Sequence, residues 1–171
     1  PAITDEEASE FVDGTLTPLL SSGLTVNTAG AGAQSKNPGA AAAFSPQDTA
    51  EMLKISSEGG TLSATFDPTA LRDAIVARVG QVETPAQNAT WKIDGSATGA
   101  PSARPQYVPA AQGKTIDTAA LSASLLKAGT SATDVAGRTV TLPMVVSEPT
   151  VKTPQNEWGI SEAIGEFATP Y

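Results

Sequence analysis

The chain has 171 residues, enough for one domain with a real core or for two small ones, and a formal charge of −8 from 18 acidic and 10 basic residues. It contains neither cysteine nor histidine, which excludes thiol nucleophiles, thiolate metal sites, disulfides, Ser-His triads and imidazole acid–base chemistry. The acidic balance runs against a nucleic-acid binder, and no apolar run is long enough to span a membrane.

The chain begins at Pro1, with no initiator methionine and no signal peptide. The expectation is an excised segment or a processed product. Its first stretch, "TDEEASEFVDGTLTPLL", places Thr4 and Glu7 at the spacing of a capping box. Ala8, Phe11, Val12, Leu16, Leu19 and Leu20 then share one helical face. Gly14 and Pro18 predict that the helix weakens or ends within this run. Asp5, Glu6, Glu7 and Glu10 gather at the helix start, where the macrodipole favours acids, so helix stabilisation is their favoured role. "LTVNT" at 24–28 alternates like a short strand. "AGAGAQSKNPGAAAAF" follows, too small-sided to build core; it reads as a mobile loop with a strand end at Ala41 to Phe44.

Three helices open alike, with an apolar residue and then a small polar cap: Phe44–Ser45, Phe66–Asp67 and Ile116–Asp117. Pro46 and Pro68 take the first helical position in two of them. In the second helix Leu71, Ile75, Val79 and Val82 form a stripe while Arg72 and Arg78 face water; in the third, Leu121, Leu125 and Leu126 do the same. Strands flank these helices. "TLSATF" aligns Leu62, Ala64 and Phe66; "ATWKID" aligns Trp91 and Ile93; "TVTLPMVVS" aligns Val140, Leu142, Met144 and Val146. Pro143 inside the last one predicts an edge or a bulge. The expected class is α+β: a small mixed or antiparallel sheet with three to four short helices packed on it. Leu71, Ile75, Val79, Leu121, Leu125, Phe66, Val140, Leu142 and Val146 are expected to share one core.

The tail, "EPTVKTPQNEWGISEAIGEFATPY", starts a short capped helix at Thr153 and Pro154. Trp158, Ile160, Ile164 and Phe167 follow at near-helical spacing, and the chain stops at Tyr171 in apolar sequence. A further domain is expected beyond it.

"RTVTLPMVVSEPTVKTPQNEWGISEAIGEFATPY" resembles the junction just before the VanW domain of bacterial envelope proteins. Those show an Arg-Val-Leu strand, then Pro-x-Leu/Val-Thr, then a Gly-Ile-x-Glu-x-Ile/Val-x-x-Phe-Thr-Thr-x-Phe/Tyr segment. Arg138, Val140, Leu142, Pro149, Thr150, Gly159, Ile160, Glu162, Ile164, Phe167, Thr169 and Tyr171 match, and Ala168 replaces the first threonine of the pair. Upstream, "SPQDTAEML", "FDPTALRDAIVARVG", "NATWKIDG" and "YVPAAQGKTIDTAALSASLL" are similar to the peptidoglycan-binding domain that precedes VanW domains. The likeness covers about residues 45–171 well and 1–44 poorly. It implies a vancomycin-resistance-associated, VanW-like parent of a Gram-positive cell envelope, anchored by an N-terminal membrane helix, with this segment outside the membrane. It implies residues 1–44 as the N-terminal helix and loop of the same domain, 45–152 as the peptidoglycan-binding α+β domain, and 153–171 as the junction to a downstream VanW-like domain. Trp158, Ile164, Phe167 and Tyr171 would then form the interdomain contact.

Sharper motifs have plainer readings. Ser124-Leu125-Leu126-Lys127 has Ser-x-x-Lys spacing, but lacks Ser-Asp-Asn and Lys-Thr-Gly partners and sits late in its helix, so an ordinary helix face is favoured. Gly113-Lys114-Thr115 ends like a phosphate loop, yet Val108 stands where the first glycine belongs. Asn88-Ala89-Thr90 is a chance-level glycosylation triplet. No calcium-loop spacing occurs, and no metal or cofactor is expected.

Aromatic side chains are the candidate ligand surface, because sugars stack on them. Tyr107 lies in "RPQYVPAAQG" with Arg104, Gln106 and Gln112, whose amide and guanidinium groups could bond N-acetyl and peptide carbonyls; Trp91 is the other candidate, although a tryptophan on an alternating strand is more often core, and core is its favoured reading. Two functions follow. One is a non-catalytic peptidoglycan-binding module, expected to show a concave, partly polar cleft with exposed aromatics. The other is a structural spacer that orients the downstream domain without binding a ligand. An enzyme is not expected.

Overall fold

Helix starts in this chain are fixed by short-range side-chain bonds. A computed structural model describes residues 3–29, 39–93 and 105–153. Thr4 opens the first helical stretch: its hydroxyl accepts from the Glu7 amide at 3.2 Å, and Glu7 Oε2 accepts from the Thr4 amide at 2.8 Å. Helix α1 (Asp5–Phe11) passes through a π-helical segment (Val12–Leu16) into α2 (Thr17–Leu20). The weakening expected from Gly14 and Pro18 therefore takes the form of a wider turn. Pro18 has no amide to donate to the Gly14 carbonyl, and the Thr17 amide reaches back to the Val12 carbonyl instead.

Strand β1 (Leu24–Asn27) follows, then β2 (Ala41–Phe44), α3 (Pro46–Met52), β3 (Leu53–Glu58), β4 (Thr61–Phe66) and α4 (Pro68–Val79). Ser45 and Asp48 form a second reciprocal cap on α3, and Asp67 accepts from the amides of Thr69 and Ala70 to start α4. Strands β5 (Thr90–Ile93), β6 (Pro105–Val108) and β7 (Gly113–Ile116) lead to α5 (Thr118–Ser131), capped by Asp117, and the described chain closes with β8 (Thr139–Thr141) and β9 (Met144–Ser147). The class is α+β, with several small sheets. β1 pairs antiparallel with β2 and parallel with β8; β3 pairs antiparallel with β4 and β5 with β6; β7 pairs with β9.

Two compact units divide the chain. The first comprises Pro1–Thr84 and Thr115–Val145, the second Pro85–Lys114 and Val146–Tyr171. The first holds the main core: Leu19, Leu24, Val26, Phe44, Phe66, Leu71, Ile75, Val79, Leu121, Leu125 and Leu142 are all buried in one cluster. Ala42 is fully buried too, on β2 beside α4, so the alanine-rich run does contribute to the core.

Four expectations need correction. Val146 is 50 % exposed and lies outside this core. The single strand expected over 139–147 is two strands with different partners, interrupted at Leu142 and Pro143; the Pro143 carbonyl accepts from the Asp117 amide at 3.0 Å. Val140 is only partly buried against the core. Val82 is buried, but not on the α4 stripe, because Gly80 at φ 79° ends the helix first.

Candidate functional site

The exposed aromatic residues belong to the second unit. There β5 and β6 align Thr90 with Val108, Trp91 with Tyr107, and Lys92 with Gln106. A strand sends successive side chains to opposite faces, so Trp91 and Tyr107 stand together on one face of the ribbon and Lys92 and Gln106 on the other. The two rings lie 5.4 Å apart between centroids with planes tilted by 57°. Trp91 is 36 % exposed and Tyr107 43 %. Contact between the rings keeps each in place, and the outer surface of the pair meets water.

Backbone pairing fixes the base of the ribbon. Gln87 and Ala111 exchange amide-to-carbonyl bonds of 2.9 Å in both directions. The Ala89 amide donates to the Val151 carbonyl at 2.9 Å, and the Val151 amide donates to Asn88 Oδ1 at 3.1 Å. Asn88 of the glycosylation triplet thus has a structural task.

Of the residues grouped around Tyr107 by sequence, the structure describes Gln106 and Gln112. Gln112 donates its side-chain amide to Glu148, which also receives Lys152 Nζ at 3.1 Å. Lys152 first, and Gln112 second, hold the Glu148 carboxyl below its ordinary pKa. Gln106 faces away from the rings. Arg104 lies outside the described residues, as do Trp158, Ile164, Phe167, Tyr171 and the helix expected from Pro154 onward.

The first unit holds an open groove of about 350 Å³, lined by Glu7, Glu10, Phe11, Gly14, Thr15, Gly60, Thr61 and Leu62. It was not legible in sequence, because it needs the wide turn at Gly14 and the β3–β4 turn to meet. This groove belongs to the first unit and the exposed aromatic pair to the second. Glu7 is committed to its cap on Thr4.

Ser124 sits in the middle of α5, and its hydroxyl donates to the Ala120 carbonyl at 2.8 Å. Gly113, Lys114 and Thr115 are strand residues of β7. Among the described residues, no group of three or more acidic side chains is arranged to hold a metal ion, and no helix is long and apolar enough to cross a membrane. Comparison with family models, with curated proteins and with solved structures finds no match to the chain.

Proposed function

We propose that this segment is a non-catalytic cell-wall-binding module that holds peptidoglycan through Trp91 and Tyr107, in a VanW-like protein of the extracytoplasmic envelope. The observation that carries the reading is the exposed aromatic pair. Apolar ring surface at solvent has a hydration cost of roughly 25 cal/mol per Å². Two large rings placed opposite each other on a ribbon face form the kind of surface that sugars cover. The resemblance of residues 45–171 to the domain that precedes VanW domains supports the same partner. A spacer that only orients a downstream domain gives no reason to keep a tryptophan and a tyrosine together at solvent.

Sedimentation with purified sacculi tests this directly. The segment is expected to co-sediment at physiological salt. Trp91→Ala and Tyr107→Ala should each weaken retention about tenfold, the equivalent of ~1.4 kcal/mol of lost contact. A wild-type segment that stays in the supernatant would leave the spacer as the better reading.

A further inference from the structure

We infer that the β5–β6 ribbon reads the glycan strand of the wall, at a single neutral pyranose ring, and not the stem peptides. The inference rests on the wall-binding reading above and narrows it to one chemical class of ligand.

The first ground is the charge of the face. Pairing of Trp91 with Tyr107 and of Lys92 with Gln106 puts the lysine and the glutamine on the reverse of the ribbon. Gln112, Glu148 and Lys152 are tied to one another. Among the described residues of β5 and β6, those that share the aromatic face are therefore uncharged. A stem peptide carries carboxylates and can carry an amine. Bringing such charges against bare aromatic rings costs solvation that nothing on this face returns. A pyranose with equatorial substituents has the complementary layout. Its flat faces present C–H groups to a ring, and its hydroxyls and amides point outward into water.

The second ground is the angle between the rings. At a tilt of 57° one flat sugar cannot lie on both. One ring takes the sugar face while the other stands at its edge, which makes a corner for one sugar unit. The centroid separation of 5.4 Å is on the scale of one such unit. Lengthening the oligosaccharide should then add little affinity at this site once the unit and its neighbours are present.

A fluorescence titration of the whole segment tests the inference. Trp158→Phe serves as background, so that Trp91 is the remaining tryptophan. The probes are a neutral chitooligosaccharide and a free stem tetrapeptide, each also used to compete the segment off sacculi. The chitooligosaccharide is expected to shift Trp91 emission and to displace the segment. Trp91→Ala and Tyr107→Ala should each weaken displacement about tenfold, and Tyr107→Phe, which keeps the ring, should retain most of it. The stem peptide should do neither. If the segment sediments with sacculi but only the stem peptide displaces it, the wall-binding reading stands and the glycan inference falls. Displacement by the sugar that is unchanged in both alanine variants would also overturn it, because the site would lie elsewhere. A wild-type segment that fails to sediment removes the wall-binding reading itself.

Discussion

Arg138 is 2 % exposed and, among the described residues, forms no ion pair with a carboxylate. Its guanidinium meets only carbonyls: Nε donates to Gly23 at 3.1 Å, Nη1 to Pro18, Gly129 and Ala132 at 3.1, 2.8 and 3.2 Å, and Nη2 to Leu19 and Ser22 at 2.7 Å each. Most of these oxygens end α2 and α5, where helix carbonyls lack intrahelical partners and partial negative charge collects. One planar cation thus closes two helix ends at once. Arg138→Met should cost about 3 kcal/mol or more, since it leaves several buried carbonyls unsatisfied. Arg138→Lys should recover only part, because an ammonium is a point with three donors and cannot span six oxygens. Urea unfolding midpoints measure both. Glu83 works in the opposite sign. It is 8 % exposed, accepts from Arg72 Nε at 2.7 Å and from the Ile116 amide at 3.0 Å. The Arg72 hydrogen bonds, opposed by burial and aided by Ile116, hold its pKa below the usual carboxylate range. A folded-state pKa below the unfolded one gives stability that is fully present above the ordinary carboxylate pKa, about 4.3, and is lost as pH falls through the folded value. Glu83→Gln should therefore be less stable than wild type at pH 7, and the gap should narrow at about pH 3. A gap that stays constant in urea titrations at both pH values would show that the carboxylate charge is not what stabilises this contact. Neither role was legible in sequence. An arginine after a glycine and a glutamate after a valine look like surface residues until distant carbonyls or amides are known to converge on them.

At the scale of elements, the caps were legible because their chemistry is local. Thr4, Ser45, Asp67 and Asp117 all cap the helices expected of them, within three residues of the amides they satisfy. The extents of the elements were less legible where a single backbone feature overrides a side-chain pattern. Gly80 ends α4 before Val82, and Pro143 divides one alternating run into β8 and β9. Two glycines separate propensity from packing. Gly14 lies in the π-helical segment, and a Cβ there would meet nothing within 4 Å. Gly14→Ala should stabilise by about 0.5–1 kcal/mol through helix propensity alone. Gly129 lies in α5 against Leu19, and a Cβ there would overlap Leu19 Cδ1. Leu19 is fully buried, so its side chain would have to repack among its core neighbours to make room. Gly129→Ala should therefore destabilise by about 1–3 kcal/mol despite the better propensity. Thermal unfolding of the two variants should move in opposite directions. A stabilised Gly129→Ala would mean that α2 and α5 approach less closely than described.

Across the whole molecule, charge and chemistry are unevenly shared. Residues 85–114 carry Lys92, Arg104 and Lys114 against the single acid Asp94, in a chain whose net charge is −8. The second unit was not legible as a unit, because residues 85–114 and 146–171 join through pairings such as Ala89 with Val151 that no local pattern announces. For the same reason the core position expected for Trp91 is not the one it takes, since it is 36 % exposed; the alternation of "ATWKID" fixes which neighbours share its face, not whether that face is covered. Salt dependence tests the reading at this scale. A strongly acidic chain is repelled by the anionic polymers attached to a cell wall, and this repulsion is screened within about 10 Å at 0.1 M salt. The aromatic contact itself is uncharged. Binding to intact sacculi should then strengthen as salt rises from about 0.05 to 0.5 M. Binding to sacculi stripped of anionic polymers should change by less than about twofold, because no counterions are released when a sugar ring stacks on an uncharged face. A tenfold or greater loss of affinity over the same range would mean that basic side chains, Lys92 foremost, hold phosphate or carboxylate. The ligand surface would then be the reverse of the ribbon, and Trp91 and Tyr107 would be bystanders.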